Sequence, residues 1–418
     1  MARILTIIPY KFYPPTSGGA LRCFYILREM ARQHEVSVLT VQPIGDFEKE
    51  TEVEFPANVE VINIFQYKKF TSIFNRASNR VGDAINYRFL KRSLFSETNS
   101  FLLEIYSTLK HTLNQKNFDV VYYENLEVLG LLQPIVKRQS PSSIHLYDAH
   151  NCDSDLWMKQ AINENKKVLL KYARKALVTE RFLYKKVDAF FCCSTQDNTM
   201  LTTLNKNRIK GAVIPNGVNT ASRPFDSNEE KYLNQELIFC GSLDYFPNIE
   251  ALKWFYDEVF PSVKSVLPAV SLTVVGSLTQ PQKYDFFKND PSVNLIGEVD
   301  TVVPYYKKAA VSIVPLKTGS GTRLKILEAM SMGTPVVSTA IGAEGIDFTK
   351  EKHMLIADNA SEFAKQVVSL FNNNRKYNFL RREALELVKL KYDWKEIGVE
   401  INKNLESLLG NKNGKSAF

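Results

Sequence analysis

The last third of the chain contains the pattern that most restricts the fold. Residues 311–316 form an apolar run rich in β-branched side chains, which predicts a buried strand, and residues 317–322 form a glycine- and serine-containing loop. Residues 323–332 then have the apolar spacing of a helix, which Gly333 ends, and residues 335–339 predict a second buried strand. The pattern therefore predicts a strand–loop–helix–strand unit of a parallel sheet.

The loop of this unit is a candidate phosphate site. It leads into a helix N-terminus, where free backbone N–H groups and the positive end of the helix dipole favour an anion. Arg323 and Lys325 add side-chain charge at the same place. The loop residues predicted to face the ligand are Gly319, Ser320, Gly321 and Thr322. An ordinary crossover without a ligand has the same pattern, so the loop alone leaves both interpretations open.

Glu328, in the second turn of the predicted helix, favours a nucleotide as the ligand. A carboxylate repels phosphate, but it accepts hydrogen bonds from a ribose diol. Phosphate donors followed a few positions later by an acidic residue therefore suit a nucleoside diphosphate. A solvated helix position is the alternative interpretation of Glu328.

The beginning of the chain predicts a second strand–loop–helix–strand unit, with Gly18 and Gly19 at its helix entrance. Glycines at such an entrance let an anion approach the backbone, although they also simply permit tight turns. Further along, residues 144–147 predict a strand that ends in Asp148-Ala149-His150-Asn151. Because ligands of open α/β sheets bind at the carboxyl ends of strands, His150 and Asn151 are candidate site residues. The following residues, 155–186, predict one long basic helix.

The chain resembles a known family of enzymes at several of these motifs. The loop, the basic helix start, L-E-A-M-x-x-G-x-P-V-V and G-x-E-G-I resemble the donor-nucleotide segment of GT-B glycosyltransferases of family 4. The resemblance implies an α/β fold of two Rossmann-like domains whose parallel sheets face a central cleft. The implied parts are an acceptor-side domain over residues 1–217, a linker over 218–235, a nucleotide-sugar-binding domain over 236–393, and a helix with a tail over 394–418 that crosses back to the first domain.

The resemblance also implies roles for individual residues. Those implied to be catalytic are His150, Arg323 and Lys325. Those implied to bind substrate are Gly18, Gly19, Asn151, Asn216 of the I-P-N-G-V turn, Gly241, Ser242, Gly319, Ser320, Gly321, Thr322 and Glu328. Gly18 and Gly19 match the glycine pair whose backbone approaches the donor.

The sequence departs from the family pattern in two places. Members of the family commonly carry two glutamates spaced E-x7-E; the second falls on Glu328, and Ser320 stands where the first would be. The turn after the first strand of the second domain commonly carries Arg and Lys for the diphosphate, whereas this chain has G-S-L-D-Y-F-P-N. We interpret these departures as a subfamily variation in which Arg323 and Lys325 take over the diphosphate.

Charge and composition restrict the partners. The chain has 53 Lys and Arg against 45 Asp and Glu, a net charge of +8 that favours an anionic partner. Residues 67–96 mix basic and apolar side chains, which is typical of a solvated basic loop; peripheral contact with an anionic membrane is the second interpretation, and both stay open. Nucleic acid is not an expected partner, because no recognised binding module accompanies the charge.

Cysteine usage and hydropathy bear on cofactors and location. The five cysteines form no C-x-x-C pair, and with the five histidines they show no metal-ligand spacing. Since no D-x-D motif stands in a suitable loop, we expect metal-independent catalysis without a cofactor. The first apolar run, residues 4–8, is too short for a signal peptide, and we find no membrane-spanning run elsewhere. We expect a cytoplasmic protein, and peripheral contact with the inner face of the membrane stays open.

The sequence thus predicts a retaining glycosyltransferase of hexosyltransferase type. It would move a sugar from a nucleoside-diphosphate-sugar donor to a glycan or lipid-linked acceptor in bacterial polysaccharide or envelope biosynthesis. Retention of configuration is implied by the resemblance alone. Two alternatives remain open: a nucleotide-sugar epimerase of the same fold, and a non-catalytic nucleotide-binding scaffold protein.

Overall fold

The computed structural model describes residues 1–48, 54–64, 102–163, 165–287, 290–319 and 323–415. The chain divides into two compact units. The first contains Met1–Ile214 together with Gly398–Phe418, and the second contains Pro215–Ile397.

The first unit is built on a parallel sheet. Its strands are β1 (Arg3–Ile8), β2 (Glu35–Thr40), β3 (Glu60–Asn63), β4 (Val120–Tyr123), β5 (Ile144–Ala149), β6 (Ala189–Cys192) and β7 (Lys210–Val213). The order across the described sheet is β3-β2-β1-β4-β5-β6-β7. Ile4 of β1 lies between Val36 and Val120, which fixes the register of the three central strands. Nearly every residue of these central strands is buried, because helices cover both faces of a parallel sheet.

Helices connect these strands. They are α1 (Gly18–Ala31), α2 (Leu102–Gln115), α3 (Leu126–Gln139), α4 (Asp153–Asn163), α5 (Lys167–Glu180) and α6 (Thr195–Leu204). The prediction of one long helix over residues 155–186 is wrong, since α4 and α5 are separate. Asn165, with φ of +51°, lies in the left-handed region between them, and a residue in that conformation ends a helix.

The second unit repeats the design with a smaller parallel sheet. Its strands are β8 (Glu236–Cys240), β9 (Ser271–Val275), β10 (Val293–Gly297), β11 (Val311–Val314), β12 (Val336–Ser338) and β13 (Leu355–Ile356), in the order β10-β9-β8-β11-β12-β13. Its α-helices are α7 (Phe246–Trp254), α8 (Phe260–Val266), α9 (Val303–Lys308), α10 (Leu324–Ser331), α11 (Ala360–Asn372) and α12 (Asn374–Leu387), with π-helical turns at Phe255–Val259 and Val388–Tyr392. The last helix, α13 (Trp394–Lys415), begins in this unit and belongs to the first unit from Gly398 onward.

Both sheets have the strand order of a Rossmann fold, so the prediction of two Rossmann-like α/β domains is confirmed. In each sheet the order of connections reverses between two neighbouring strands, β1 and β4 in the first unit and β8 and β11 in the second. Open α/β sheets bind ligands beyond the carboxyl ends of the strands at such a switch point. These two places are therefore the first to search for functional residues.

The segment predicted as a linker, residues 218–235, packs within the second unit. Lys231 is fully buried, and its ammonium group donates a hydrogen bond to Thr334 Oγ1 at 3.0 Å. Arg381 donates to the carbonyl oxygens of Gly333 and Asn228 at 2.7 Å each. These hydrogen bonds join the segment to α12 and to the end of α10.

Two sequence predictions fall outside the described residues. Ser320, Gly321 and Thr322 of the phosphate loop are one, and the basic stretch over residues 67–96 is the other. Within the part of the chain that the structure describes, no helix combines the length and the apolar character needed to cross a bilayer.

Candidate active site

The carboxyl end of β8 forms a tight turn that two glycines make possible. Gly241 directly follows β8 with φ of +151°, and Gly276 follows β9 with φ of +152°. A methyl group on Gly276 would lie 1.8 Å from the carbonyl oxygen of Gly241. Only glycine therefore permits this approach of the two strand ends.

Lys325 fills the space beside this turn, although it belongs to α10. Its Nζ donates to Asn248 Oδ1 at 3.1 Å, lies 3.9 Å from the centre of the Phe239 ring, and would lie 2.6 Å from a methyl group on Gly241. Asn248 in turn donates to the carbonyl oxygen of Ser242 at 2.7 Å. Burial, helped by repulsion from Arg323, lowers the pKa of Lys325 to about 7. The turn after β8 lacks a basic residue of its own in the sequence, and the structure supplies one from α10.

Arg323 lies beside the loop that follows β11. It is the residue before α10 and is only 9% exposed. Its Nη2 would lie 3.0 Å from a methyl group on Gly319, whose φ is +105°, and the Tyr245 hydroxyl is 3.5 Å from the same point. Burial lowers the pKa of Arg323 from its ordinary value. A buried guanidinium and a half-buried amine thus flank the β8–β11 switch point.

Glu328 is half-buried in the middle of α10, where it pairs with a side chain that the sequence did not predict. Arg223 Nε donates to Glu328 Oε1 at 3.3 Å, and Ser331 Oγ donates to the carbonyl oxygen of Arg223 at 2.7 Å. Arg223 belongs to the segment predicted as a linker. A carboxylate offers roughly four lone-pair sites, so an ion pair with Arg223 still leaves Glu328 able to accept from a ribose.

The other predicted residues of this unit lie nearby in the chain but contribute less. Ser242 Oγ accepts a hydrogen bond from Ser277 Oγ at 3.2 Å. Asn216 is half-buried, two residues before Val218, which pairs with Asp393. The structure gives neither residue a contact that identifies a ligand.

The first unit has its own cluster at the carboxyl ends of β1, β4 and β5. Glu124 directly follows β4 and is fully buried. Its Oε1 lies 2.6 Å from His150 Nε2 and accepts a hydrogen bond from the Cys23 thiol at 2.6 Å. The Tyr10 hydroxyl lies 3.3 Å from the same sulfur. One carboxylate oxygen therefore contacts side chains from a helix and from the end of a strand, and the loop after β1 joins the cluster through the thiol.

A buried ion pair between Arg22 and Asp148 lies next to this cluster. Arg22 donates two hydrogen bonds to Asp148, from Nε at 2.8 Å and from Nη2 at 2.5 Å, and a third from Nη1 to the carbonyl of Ile214 at 2.7 Å. Burial would raise the pKa of Asp148, but the Arg22 guanidinium and His150 lower it to about 2. Asp148 Oδ2 also lies 3.5 Å from His150 Nε2.

The charge state of His150 follows from these neighbours. Burial alone would lower the pKa of His150, but hydrogen bonding with Asp148, Cys23 and Glu124 raises it well above its ordinary value. Burial raises the pKa of Glu124, while the histidine beside it opposes the rise. These contacts favour the imidazolium form of His150.

The structure brings Gly19 close to His150. A methyl group on Gly19 would lie 3.7 Å from His150 Nδ1, and Gly18 and Gly19 are exposed at the start of α1. Ser17 caps this helix by accepting a hydrogen bond from Ala20 N at 3.3 Å. Asn151 follows His150 and is half-buried.

Sequence reasoning missed Glu124, Arg22 and Cys23. Glu124 directly follows the buried strand 120–123, so the criterion that singled out His150 would also have found it. Arg22 and Cys23 lie among buried positions of α1, where a helix pattern carries no sign of chemistry.

Cys23, Glu124 and His150 are also residue types that bind metal ions, and their ligand atoms lie within 4.8 Å of one another. However, two ligand atoms around a tetrahedral zinc ion lie about 3.4 Å apart or more, given metal–ligand distances of 2.0–2.3 Å. Both contacts of Glu124 Oε1 are 2.6 Å, which is a hydrogen-bonding distance. The residues as arranged fit a hydrogen-bonded cluster and not a metal cage.

Family models match most of the chain. Residues 16–222 match the model of "Glycosyltransferase Family 4", and residues 234–373 match "Glycosyl transferases group 1". A relative from Klebsiella pneumoniae, an uncharacterised 44.6 kDa protein in the cps region, is 24% identical over 319 residues, which cover 73% of this chain and 80% of the relative.

Solved structures share the fold over nearly the full length. Sucrose-phosphate synthase from Thermosynechococcus elongatus superposes with a TM-score of 0.70 at 16% identity, covering 98% of this chain and 100% of that one. HepE from Anabaena in complex with UDP-glucose superposes with a TM-score of 0.65 at 13% identity, covering 97% and 100%. Together with the two family matches, this shared fold shows that the chain belongs to the family 4, or group 1, glycosyltransferases of GT-B fold.

Proposed function

We propose that this glycosyltransferase moves a hexosyl group from a nucleoside-diphosphate sugar to a glycan or lipid-linked acceptor, with retention of configuration. The relative from the cps region of Klebsiella pneumoniae supports a place in bacterial polysaccharide or envelope assembly. We propose that the protein acts at the inner face of the cytoplasmic membrane.

The position of Lys325 is the observation that carries the proposal. Its ammonium group lies beside Gly241 and Asn248 at the carboxyl end of β8, while Arg323 lies beside Gly319 after β11. Two cations on either side of a switch point, together with the N-terminus of α10, suit the two negative charges of a diphosphate.

The chemistry follows from this placement of charge. As the glycosidic bond to the diphosphate breaks, negative charge builds up on the leaving phosphate oxygens. Arg323 and Lys325 stabilise this charge by preorganised hydrogen bonds, which supports a reaction independent of metal ions. Glu328 would accept hydrogen bonds from the ribose. In the first unit, His150 would donate a hydrogen bond to a sugar oxygen of a substrate.

A panel of nucleotides tests the donor site first. Binding stabilises the native state by an amount that grows with the logarithm of ligand concentration over Kd, so thermal unfolding with UDP, GDP and ADP should show one clear increase in Tm. HepE binds UDP-glucose, which makes uridine the first base to test. No increase with any of the three would contradict the proposed donor class.

Turnover then separates the proposal from its alternatives. With the matching sugar donor, nucleoside diphosphate should be released only when a lipid-linked or glycan acceptor is added. An epimerase of this fold would consume donor without an acceptor, whereas a scaffold protein would bind nucleotide and release nothing. Mass spectrometry of the acceptor shows the added hexose, and NMR of the product shows the anomeric configuration.

A further inference from the structure

The buried carboxylate of Glu124 needs an explanation beyond packing. It is fully buried, its Oε1 receives the Cys23 thiol and faces His150, and its Oε2 has no hydrogen-bond partner among the described residues. A buried ionised carboxylate is strongly disfavoured unless a cation compensates it. If Glu124 is ionised, its charge is therefore expected to stabilise a cation in contact with it.

Charge counting within the cluster identifies that cation. Arg22 holds Asp148 through two hydrogen bonds, so the guanidinium and this carboxylate neutralise each other. Glu124 is left as the second carboxylate, and His150 is the group in contact with it. With Glu124 ionised, the cluster is neutral when His150 is an imidazolium.

The orientation of the ring shows where its second donor lies. An ionised carboxylate only accepts, so in that charge state the Nε2–H of His150 donates to Glu124 at 2.6 Å. The opposite edge of the ring, with Nδ1, faces Gly19 at the exposed start of α1. The side chain of His150 is 23% exposed, and its Nδ1 edge lies towards this exposed helix start.

We propose that Glu124 is a positioning residue, which keeps His150 in its cationic form and directs Nδ1–H towards a sugar or phosphate oxygen at the start of α1. The Cys23 thiol holds the same carboxylate oxygen in place. The proposal rests on the proposed function only for the identity of the ligand. The charge state of His150 is a property of the free protein.

Other groups around His150 must be separated from the effect of Glu124. Those that face it or its contacts are Asp148 on β5, Cys23 on α1, Tyr10 after β1, Cys193 after β6 and Asp153 at the start of α4. Asp153 matters most, because burial and Glu180 raise its pKa to about 7. An Asp153→Asn variant therefore serves as a control for any titration seen near neutral pH.

The experiment follows the imidazole ring of His150 by NMR in protein labelled with ¹⁵N-histidine. The His150 signals are assigned by their loss in His150→Gln. In the wild-type protein we expect both ring nitrogens to stay protonated through pH 7. In Glu124→Gln, which keeps an acceptor and removes the charge, the pKa of His150 should fall by about one unit or more. Glu127→Gln, three residues further along, should leave it unchanged.

Activity provides the second measurement. In Glu124→Gln the pH at which kcat/KM declines should fall along with the His150 pKa, whereas a merely structural residue would change Tm and leave the profile in place. An unchanged His150 pKa in Glu124→Gln, or a neutral His150 at pH 7 in the wild-type protein, overturns the proposal. The wild-type measurement decides the matter even if the variant does not fold.

The two proposals fail separately. If the wild-type protein turns over no sugar donor, the proposed function fails, but the ring signals still report the pairing of Glu124 with His150. If sugar transfer is found and the ring titration is insensitive to Glu124, only the inference about Glu124 is wrong.

Discussion

Replacement of Lys325 by methionine tests the donor site most directly. Methionine keeps an apolar side chain of similar length over the Phe239 ring and removes only the ammonium group that now donates to Asn248. A hydrogen bond between charged groups contributes about 1.5–3 kcal/mol. Since each 1.4 kcal/mol is tenfold in affinity, we expect the Kd for the donor nucleotide to rise about 10- to 100-fold.

The pH dependence of binding gives a second, independent measure of the same group. Lys325 carries its charge below its pKa of about 7 and loses it above. Binding of a nucleotide sugar, whose diphosphate does not titrate in this range, should therefore weaken about tenfold from pH 6 to pH 8. In Lys325→Arg the side chain stays charged, so this contribution to the pH dependence should disappear.

Isothermal titration calorimetry at constant ionic strength measures both effects. Lys253→Met is the matched control, because Lys253 is exposed on α7, where it pairs with Asp257 and lies 5.4 Å from the centre of the Phe286 ring. The control should bind like the wild-type protein. A Kd for Lys325→Met within twofold of wild type would refute the placement of the diphosphate beside Gly241.

Three further perturbations test the rest of the structure. Glu328→Ala should weaken nucleotide binding about tenfold and abolish the preference for a ribonucleotide over its 2′,3′-dideoxy analogue, measured by calorimetry; a preference that survives rules out the ribose contact. Arg22→Met should lower the free energy of unfolding by about 3–5 kcal/mol at pH 7 by leaving Asp148 buried without its cation. That deficit, measured by urea unfolding, should shrink as pH falls from about 4 towards 2, where the wild-type Asp148 also becomes protonated. Gly276→Ala should cost about 1–3 kcal/mol in backbone strain, lower Tm and weaken nucleotide binding, because the methyl group would collide with the Gly241 carbonyl.

The secondary structure of the switch-point unit could be predicted from the sequence because its signals are local. The apolar run before the loop became β11, and the helical spacing after it became α10, which starts at Leu324. Burial on both faces of a parallel sheet demands consecutive apolar residues, so such strands are visible in a short window. The separation of α4 from α5 was missed because the left-handed conformation of Asn165 is only one of several that an asparagine can adopt, and the sequence does not show which one it takes.

The candidate sites were predictable only in part. His150 stood out because it follows a strand, and Glu124 was accessible to the same criterion. By contrast, the pairing of Arg223 with Glu328 joins positions 105 apart in the chain. No local pattern marks it, since it depends on how residues 218–235 pack within the second unit.

The sequence by itself determined the elements of each Rossmann-like unit and the polar residues at their strand ends, since backbone hydrogen bonding and side-chain periodicity act over a few residues. Only the tertiary structure decided which of these side chains meet. The strand order places Cys23 and His150 on one oxygen of Glu124, and the packing of α10 carries Lys325 into the turn after β8. Both groupings join residues far apart in the chain, and therefore depend on strand order and helix packing that no short window of sequence contains.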